Sequence, residues 1–271
     1  MNEIVKYENK LNTLALSGFS AVELNLFMLI CAKTKDKGQD LISLKYEDLK
    51  KSLGLERQSN KYFHDELRKM SAKLLKIHCN FNDSKKFVVF NLFSTFIGDL
   101  EENSLDVRVN IDFQSLLNEI TKEFTRFELS EFVRLESKYS KNLYRLLKQY
   151  RKTGTYRIDA EKFRELMDCP KSYQNIYFMR DCVNPAVKEL SQGYFENLKV
   201  TPVRSTKRGR PVVAYEFTFK PSKDIIGQQN LELESDQKQP KPKTKKTKFH
   251  NFHEREYDMD TLEKRLLGNP K

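Results

Sequence analysis

In the segment SAVELNLFMLICAKT (residues 20–34) apolar side chains recur at helical spacing, with Val22, Leu24, Phe27, Met28, Ile30 and Cys31 falling mostly on one face. The pattern predicts an amphipathic helix. A short apolar run, LISL (Leu41 to Leu44), follows as a strand, and KYEDLKKSLG then reads as a brief helix stopped at Gly54. SNKYFHDELRKMSAKLLK is predicted as a long helix, with Ser59 placed to cap it because its side-chain oxygen can accept from an N–H that has no partner within the helix. IHCNFN, then Asp83-Ser84, then KKFVVFNLFS alternate and turn as a hairpin, and SLDVRVN is a candidate third strand. Helix, short strand, helix, turn, helix, hairpin is the order of a winged helix-turn-helix.

The second half repeats that order. SKYSKNLYRLLKQYRKTG is a strong amphipathic helix with Leu143, Tyr144, Leu146, Leu147 and Tyr150 on its apolar side and Gly154 as its stop. TYRI takes the place of LISL. DAEKFRELMDC matches KYEDLKKSLGL, which sets Phe163 and Met167 where Leu49 and Leu53 stood. A third helix lies within NIYFMRDCVNPAVKELSQG, where Pro185 requires a bend or a restart because it lacks the N–H that a helix interior uses. Strands over Tyr194 to Val203 and Val212 to Phe219 close a second hairpin. Repeats of this length are duplicated domains, not solenoid units. The fold class is therefore α+β, with two tandem winged helix-turn-helix domains over residues 1–125 and 126–221 and a flexible C-terminal tail.

Charge changes the picture from fold to partner. The 271 residues carry 49 Lys+Arg against 38 Asp+Glu, a formal net charge of +11, which suits a polyanion such as nucleic acid or an anionic membrane surface. No apolar run approaches the roughly 20 residues of a membrane-spanning helix, and the start of the chain reads as no signal peptide, so a cytoplasmic location is expected. Cys31, Cys79, Cys169 and Cys182 are scattered without a CxxC pair and are expected to be buried as small hydrophobes. His250 and His253 are two ligands without a nearby cysteine, so no metal site and no cofactor is expected.

The tip of the second hairpin, RSTKRGRP, holds Arg204, Lys207, Arg208 and Arg210 and no acid. By itself such a tip could serve only solubility. Standing in front of a helix-turn-helix it reads as a wing, since each phosphate that a cation neutralises releases counterions.

The blocks SKYSKNLYRLLKQYRKTGTYRI, FRELMDC and YFMRDCVNPAVKEL together resemble theta-type plasmid replication initiators, the RepB/RepE-like initiator Rep family. The resemblance covers about residues 10–220 and is strongest from Leu129 to Leu190. It implies tandem winged-helix domains that bind direct repeats (iterons) in double-stranded DNA at a plasmid origin. It also implies opening of an AT-rich region, recruitment of host replication proteins, chiefly the replicative helicase, and exchange between a promoter-repressing homodimer and an initiating monomer.

Candidate contacts follow from residue chemistry at the start of each third helix. In the second domain these are Lys171, Ser172, Gln174, Asn175 and Arg180, since Gln and Asn can pair with adenine, Arg with guanine, and Ser or Lys with phosphate. Tyr173, Tyr177 and Phe178 are either core or, for one of them, a thymine-methyl contact. The first domain offers Arg57, Gln58, Ser59, Asn60 and Lys61 at the same place, and the resemblance assigns that domain more to dimerisation and backbone contact.

The tail is a different material. Residues 222–248 include six lysines between Lys238 and Lys248 with prolines interleaved, a self-repelling linker. In residues 249–271 the pattern becomes ordered again, with Phe249, Phe252, Leu262, Leu266 and Leu267 as the apolar positions of a short partner-docking helix. The ending resembles those of replication-associated proteins of Gram-positive plasmids and phages. Folding back on its own domain is the alternative.

Two rival functions remain in view. Tyr144 and Lys148 form Y-x-x-x-K, the spacing of rolling-circle nickases, but the metal-holding H-x-H that chemistry needs is missing from the sequence, as is a Walker loop. The expectation is a protein that is not an enzyme. A two-headed winged-helix repressor without a replication role is the second rival.

Overall fold

Each half of the chain builds a three-stranded antiparallel sheet in which the short strand pairs with the last strand of the hairpin. The computed structural model describes residues 3–82, 87–118 and 123–222. The first half contains β1 (Ile4–Glu8), a 3-10 turn (Asn9–Thr13), α1 (Ala21–Thr34), β2 (Ile42–Lys45), α2 (Tyr46–Leu53) and α3 (Asn60–Leu74). It continues through β3 (His78–Asn82), β4 (Phe87–Asn91), β5 (Phe93–Asp99), β6 (Ser104–Val109) and α4 (Ile111–Leu117). Then come β7 (Phe124–Glu128), α5 (Leu129–Arg134), α6 (Lys138–Gln149), β8 (Thr155–Asp159) and α7 (Ala160–Leu166). A helical run over 175–191 and the hairpin β9 (Lys199–Arg204) with β10 (Val212–Thr218) complete the described chain.

The two sheets have the orders β2-β6-β5 and β8-β10-β9, so the duplication extends to topology. The first wing, however, is not the hairpin expected over 77–94. That hairpin forms, as β3 paired with β4, but it stands as a separate two-stranded sheet. SLDVRVN does not extend it. β6 pairs with β2 and with β5, so the wing of the first domain is β5–β6. Burial explains the choice: β6 puts Leu105, Val107 and Val109 on the core face, whereas β4 leaves Phe87 and Val89 exposed.

α1 departs from the amphipathic expectation in a second way. Leu24, Leu26, Phe27, Met28, Leu29, Ile30 and Cys31 are all buried, although Val22 is exposed. The helix is covered by α2 and also by β1, α5 and α6, so it needs an apolar surface nearly all round. β1, which the sequence pattern did not announce, pairs antiparallel with β7. Asn12 ties this edge together, accepting from the Tyr7 hydroxyl (3.0 Å) and donating to Thr125 (2.8 Å) and Gln149 (3.1 Å).

Local signals were realised where they are short-range. Ser59 caps α3, and Gly54 ends α2 in the left-handed conformation (φ 67°). Gly154 (φ 71°) stops the turn after α6, and a Cβ there would collide with the Phe219 carbonyl oxygen. Leu49, Leu53, Phe163 and Met167 are all buried, as the alignment of the two halves requires. The third helix of the second domain passes from α (Asn175–Tyr177) through π (Phe178–Val183) to α (Asn184–Ser191), with Pro185 in the first turn of the last segment. The restart expected at Pro185 is thus made by a π segment, which re-registers the ladder ahead of the missing N–H. Cys31, Cys79 and Cys182 are buried as expected, but Cys169 is only half-buried, its sulfur 3.9 Å from that of Cys182. Among the described residues no helix is long and apolar enough to cross a membrane.

Candidate nucleic-acid interface

In the second domain α7 and the 175–191 run form the helix-turn-helix, and aromatic packing seats the run on its sheet. Phe178 meets Phe163 of α7 and Tyr215 of β10, with ring centroids 5.4 and 5.9 Å apart. Turning Phe178 inward leaves the start of the run outward. Gln174, Asn175, Ile176 and Tyr177 are exposed, Ile176 to 68%. Lys171 and Ser172 are exposed in the preceding turn, and Tyr173 is half-buried. So of the three aromatics Phe178 is core and Tyr177 is open to a partner.

Two of the expected readers are engaged inside the protein. Asn175 accepts through Oδ1 from Arg164 of α7 (2.9 Å), and Arg164 also donates to the Tyr173 carbonyl (2.9 Å) and lies 4.6 Å over the Phe178 ring. Arg180 grips Asp181 with two nitrogens (2.6 and 2.9 Å) and stacks 4.9 Å over Tyr177. The paired guanidinium holds the Asp181 carboxyl below its usual range. To take a guanine, Arg180 must share or leave that acid.

The wing tip is built by its own backbone. Ser205 N–H donates to the Pro211 carbonyl (2.8 Å) and Arg210 N–H to that of Lys207 (2.9 Å), with Gly209 (φ 81°) and Arg210 (φ 44°) both left-handed. Arg204, Lys207, Arg208 and Arg210 are all exposed. Arg204 also braces the loop by donating to the Arg210 carbonyl (3.3 Å).

In the first domain the matching residues serve the fold more visibly. Ser59 accepts from Tyr62 N–H (3.3 Å), the expected cap. Asn60 accepts from Lys50 (2.7 Å) and donates to Asn103 in the turn of the first wing (2.6 Å). Gln58, half-buried, gives its carbonyl to Lys50 (3.0 Å), while Arg57 and Lys61 are exposed. Ile176, Asn184 and Lys188, which the sequence pattern does not single out, are also exposed on the second-domain run. The signal available was helical spacing counted outward from buried Phe178, but the π segment shifts that count. Phe249, Phe252, Leu262, Leu266 and Leu267 lie outside the described residues.

Tyr144 is fully buried. Its hydroxyl donates to Glu131, which also pairs with Lys148 (2.8 Å), and Lys148 lies 5.1 Å over the Tyr144 ring. Y-x-x-x-K is therefore a packed triad with Glu131.

These elements define a tandem winged-helix protein with an exposed third-helix start and a cationic wing in its second domain. The chain belongs to the replication-initiator family. Residues 4–148 match the family model described as "Initiator Replication protein, WH1", and residues 159–219 match "Initiator Rep protein, WH2". The chain is 35% identical over 221 residues to "Probable replication protein rep" of Bifidobacterium longum (strain NCC 2705), covering 80% of this chain and 73% of that one. Its fold is similar to that in "Crystal structure of Pi initiator protein in complex with iteron DNA", with a TM-score of 0.62 at 17% identity over 82% of this chain and 98% of the other.

Proposed function

We propose that this chain initiates plasmid replication by binding tandem repeats of double-stranded DNA at an origin, a reading supported by its likeness to a probable replication protein of Bifidobacterium longum and to the fold of the Pi initiator bound to iteron DNA. The observation that carries the reading is the second domain's combination of an exposed helix start (Gln174, Asn175, Ile176, Tyr177) with a wing of four cations and no acid. The helix supplies base contacts in the major groove, and the wing supplies phosphate contacts beside it.

The finer steps belong to the same proposal. Bound protein promotes AT-rich melting and recruits host replication proteins such as the replicative helicase, with residues 249–271 as the docking element. A homodimer represses the chain's own promoter, a monomer initiates, and both act in the cytoplasm. The protein does this without catalysis of its own, a reading supported by Tyr144, whose buried hydroxyl is occupied by Glu131 and cannot meet a scissile phosphate.

Footprinting the full chain on the DNA upstream of its own gene tests the proposal. Protection of direct repeats of about two helical turns each is expected, because two domains need two successive major-groove faces. Uniform or absent protection overturns it. A plasmid bearing only this gene and its origin separates initiator from repressor by whether it replicates.

A further inference from the structure

Two cations hold the starts of the third helices of the two domains by one device, and the two asparagines they hold differ in what lies on their other side. Lys50 follows Leu49 in α2 as Arg164 follows Phe163 in α7. Lys50 donates to the Gln58 carbonyl (3.0 Å) and to Asn60 Oδ1 (2.7 Å). Arg164 donates to the Tyr173 carbonyl (2.9 Å) and to Asn175 Oδ1 (2.9 Å). In each copy the carbonyl stands two residues before the asparagine, and the asparagine is the first residue of its helix. The device is thus part of the duplication.

Its chemistry sets the polarity of the amide. Lys and Arg have only donors, so the asparagine oxygen must face the cation and the NH2 group must turn away. In the first domain that NH2 donates to Asn103 of the wing turn (2.6 Å). In the second no described residue accepts from Asn175 Nδ2, and the side chain is exposed at the helix start, where helix-turn-helix proteins touch base edges. A side chain already ordered before DNA arrives loses less entropy on contact.

We propose that Arg164 is a positioning residue that presents Asn175 to the major groove with its amide hydrogens outward. The second domain then selects, at one position, a base edge offering an acceptor: purine N7, guanine O6 or thymine O4. Asn60, held by Lys50 and closed by Asn103, does not read DNA. The inference rests on the duplex-binding function proposed above.

Selection by the full chain from duplexes with a randomised centre, followed by sequencing, tests it. The Asn175→Asp variant keeps the Arg164 contact but turns the outward donor into an acceptor. It should move one position of the wild-type motif towards cytosine or adenine, whose amino groups donate. Arg164→Gln should flatten preference at that same position by about tenfold, with affinity for random duplex and the melting midpoint retained. Asn60→Asp should leave the motif intact. If Arg164→Gln lowers the melting midpoint, the Asn175→Asp result decides alone. A wild-type motif that both second-domain variants reproduce overturns the inference and leaves DNA reading standing, a motif altered by Asn60→Asp overturns the asymmetry, and no wild-type motif at all overturns the inference together with the function it rests on.

Discussion

Arg145 of α6 donates to the carbonyl oxygen of Leu14, 2.8 Å away, and to that of Leu11 at 3.3 Å. Its guanidinium is fully buried, and desolvation lowers its pKa. The two carbonyls lie in and just after the 3-10 turn, so one side chain pins the N-terminal segment to the helix that opens the second repeat. Arg145→Ala leaves a cavity and takes the side-chain donor from the Leu14 carbonyl, while the Leu11 carbonyl keeps the Leu14 N–H, and should cost roughly 2–4 kcal/mol in chemical denaturation. A loss below 1 kcal/mol would mean that water or a rearranged loop replaces the guanidinium.

The wing is tested by charge. Replacing Lys207, Arg208 and Arg210 together with Ala should weaken binding to every duplex and reduce the slope of log affinity against log salt by up to about three. Arg204 is left in place because it braces the Arg210 carbonyl. An unchanged slope would return RSTKRGRP to a solubility device.

Tyr144→Phe separates packing from nicking. Losing the hydroxyl contact with Glu131 should cost about 1 kcal/mol, softened because Lys148 still pairs with that carboxylate. Plasmid maintenance should persist. Loss of replication by a well-folded Tyr144→Phe protein, with loss of a covalent DNA adduct, would revive the nickase reading.

Lys141 predicts a pH dependence of stability. It is buried, donates to the Phe132 (2.6 Å) and Val133 (3.3 Å) carbonyls, and burial lowers its pKa to about 7, with Glu189 pulling the other way. An unfolded lysine titrates near 10.5. Between those values the unfolded chain binds more protons than the folded one, so this group's contribution to stability rises with pH and is flat below 7. Above about 8.5 the buried thiols of Cys31 and Cys79, whose pKa values burial raises, act in the opposite sense. From pH 7 to about 8.5 the wild type should therefore gain up to about 2 kcal/mol relative to Lys141→Met. Parallel stability curves for the two proteins over that window would show that Lys141 stays charged in the fold.

Deleting residues 249–271 removes the proposed docking positions and keeps the lysine linker, so affinity for the repeats and promoter repression should stay near normal while replication in vivo fails. Normal copy number would remove the tail from recruitment. Loss of DNA binding as well would place it against its own domains.

Short-range physics was legible in the sequence. Ser59 as a cap, Gly54 and Gly154 as stops, the helix, strand, helix, helix order that opens each repeat, the match of Leu49 with Phe163 and the acid-free tip all depend on neighbours within a few residues. So does the family resemblance, which rests on blocks of residues read in order. Tertiary structure alone decided which strands meet. β6 joined β2, and β1 joined β7, because burial on one face, not alternation within a strand, selects a partner far along the chain. It also decided which polar groups are free. Asn60 and Asn175 look alike in the sequence, but one is closed by Asn103 and the other is exposed. Lys141 and Arg145, on a helix whose pattern reads as half polar, are buried because carbonyls from α5 and the N-terminal turn reach them. A hydrogen bond across that distance is a property of the folded surface, since nothing in the local sequence says which acceptor will arrive.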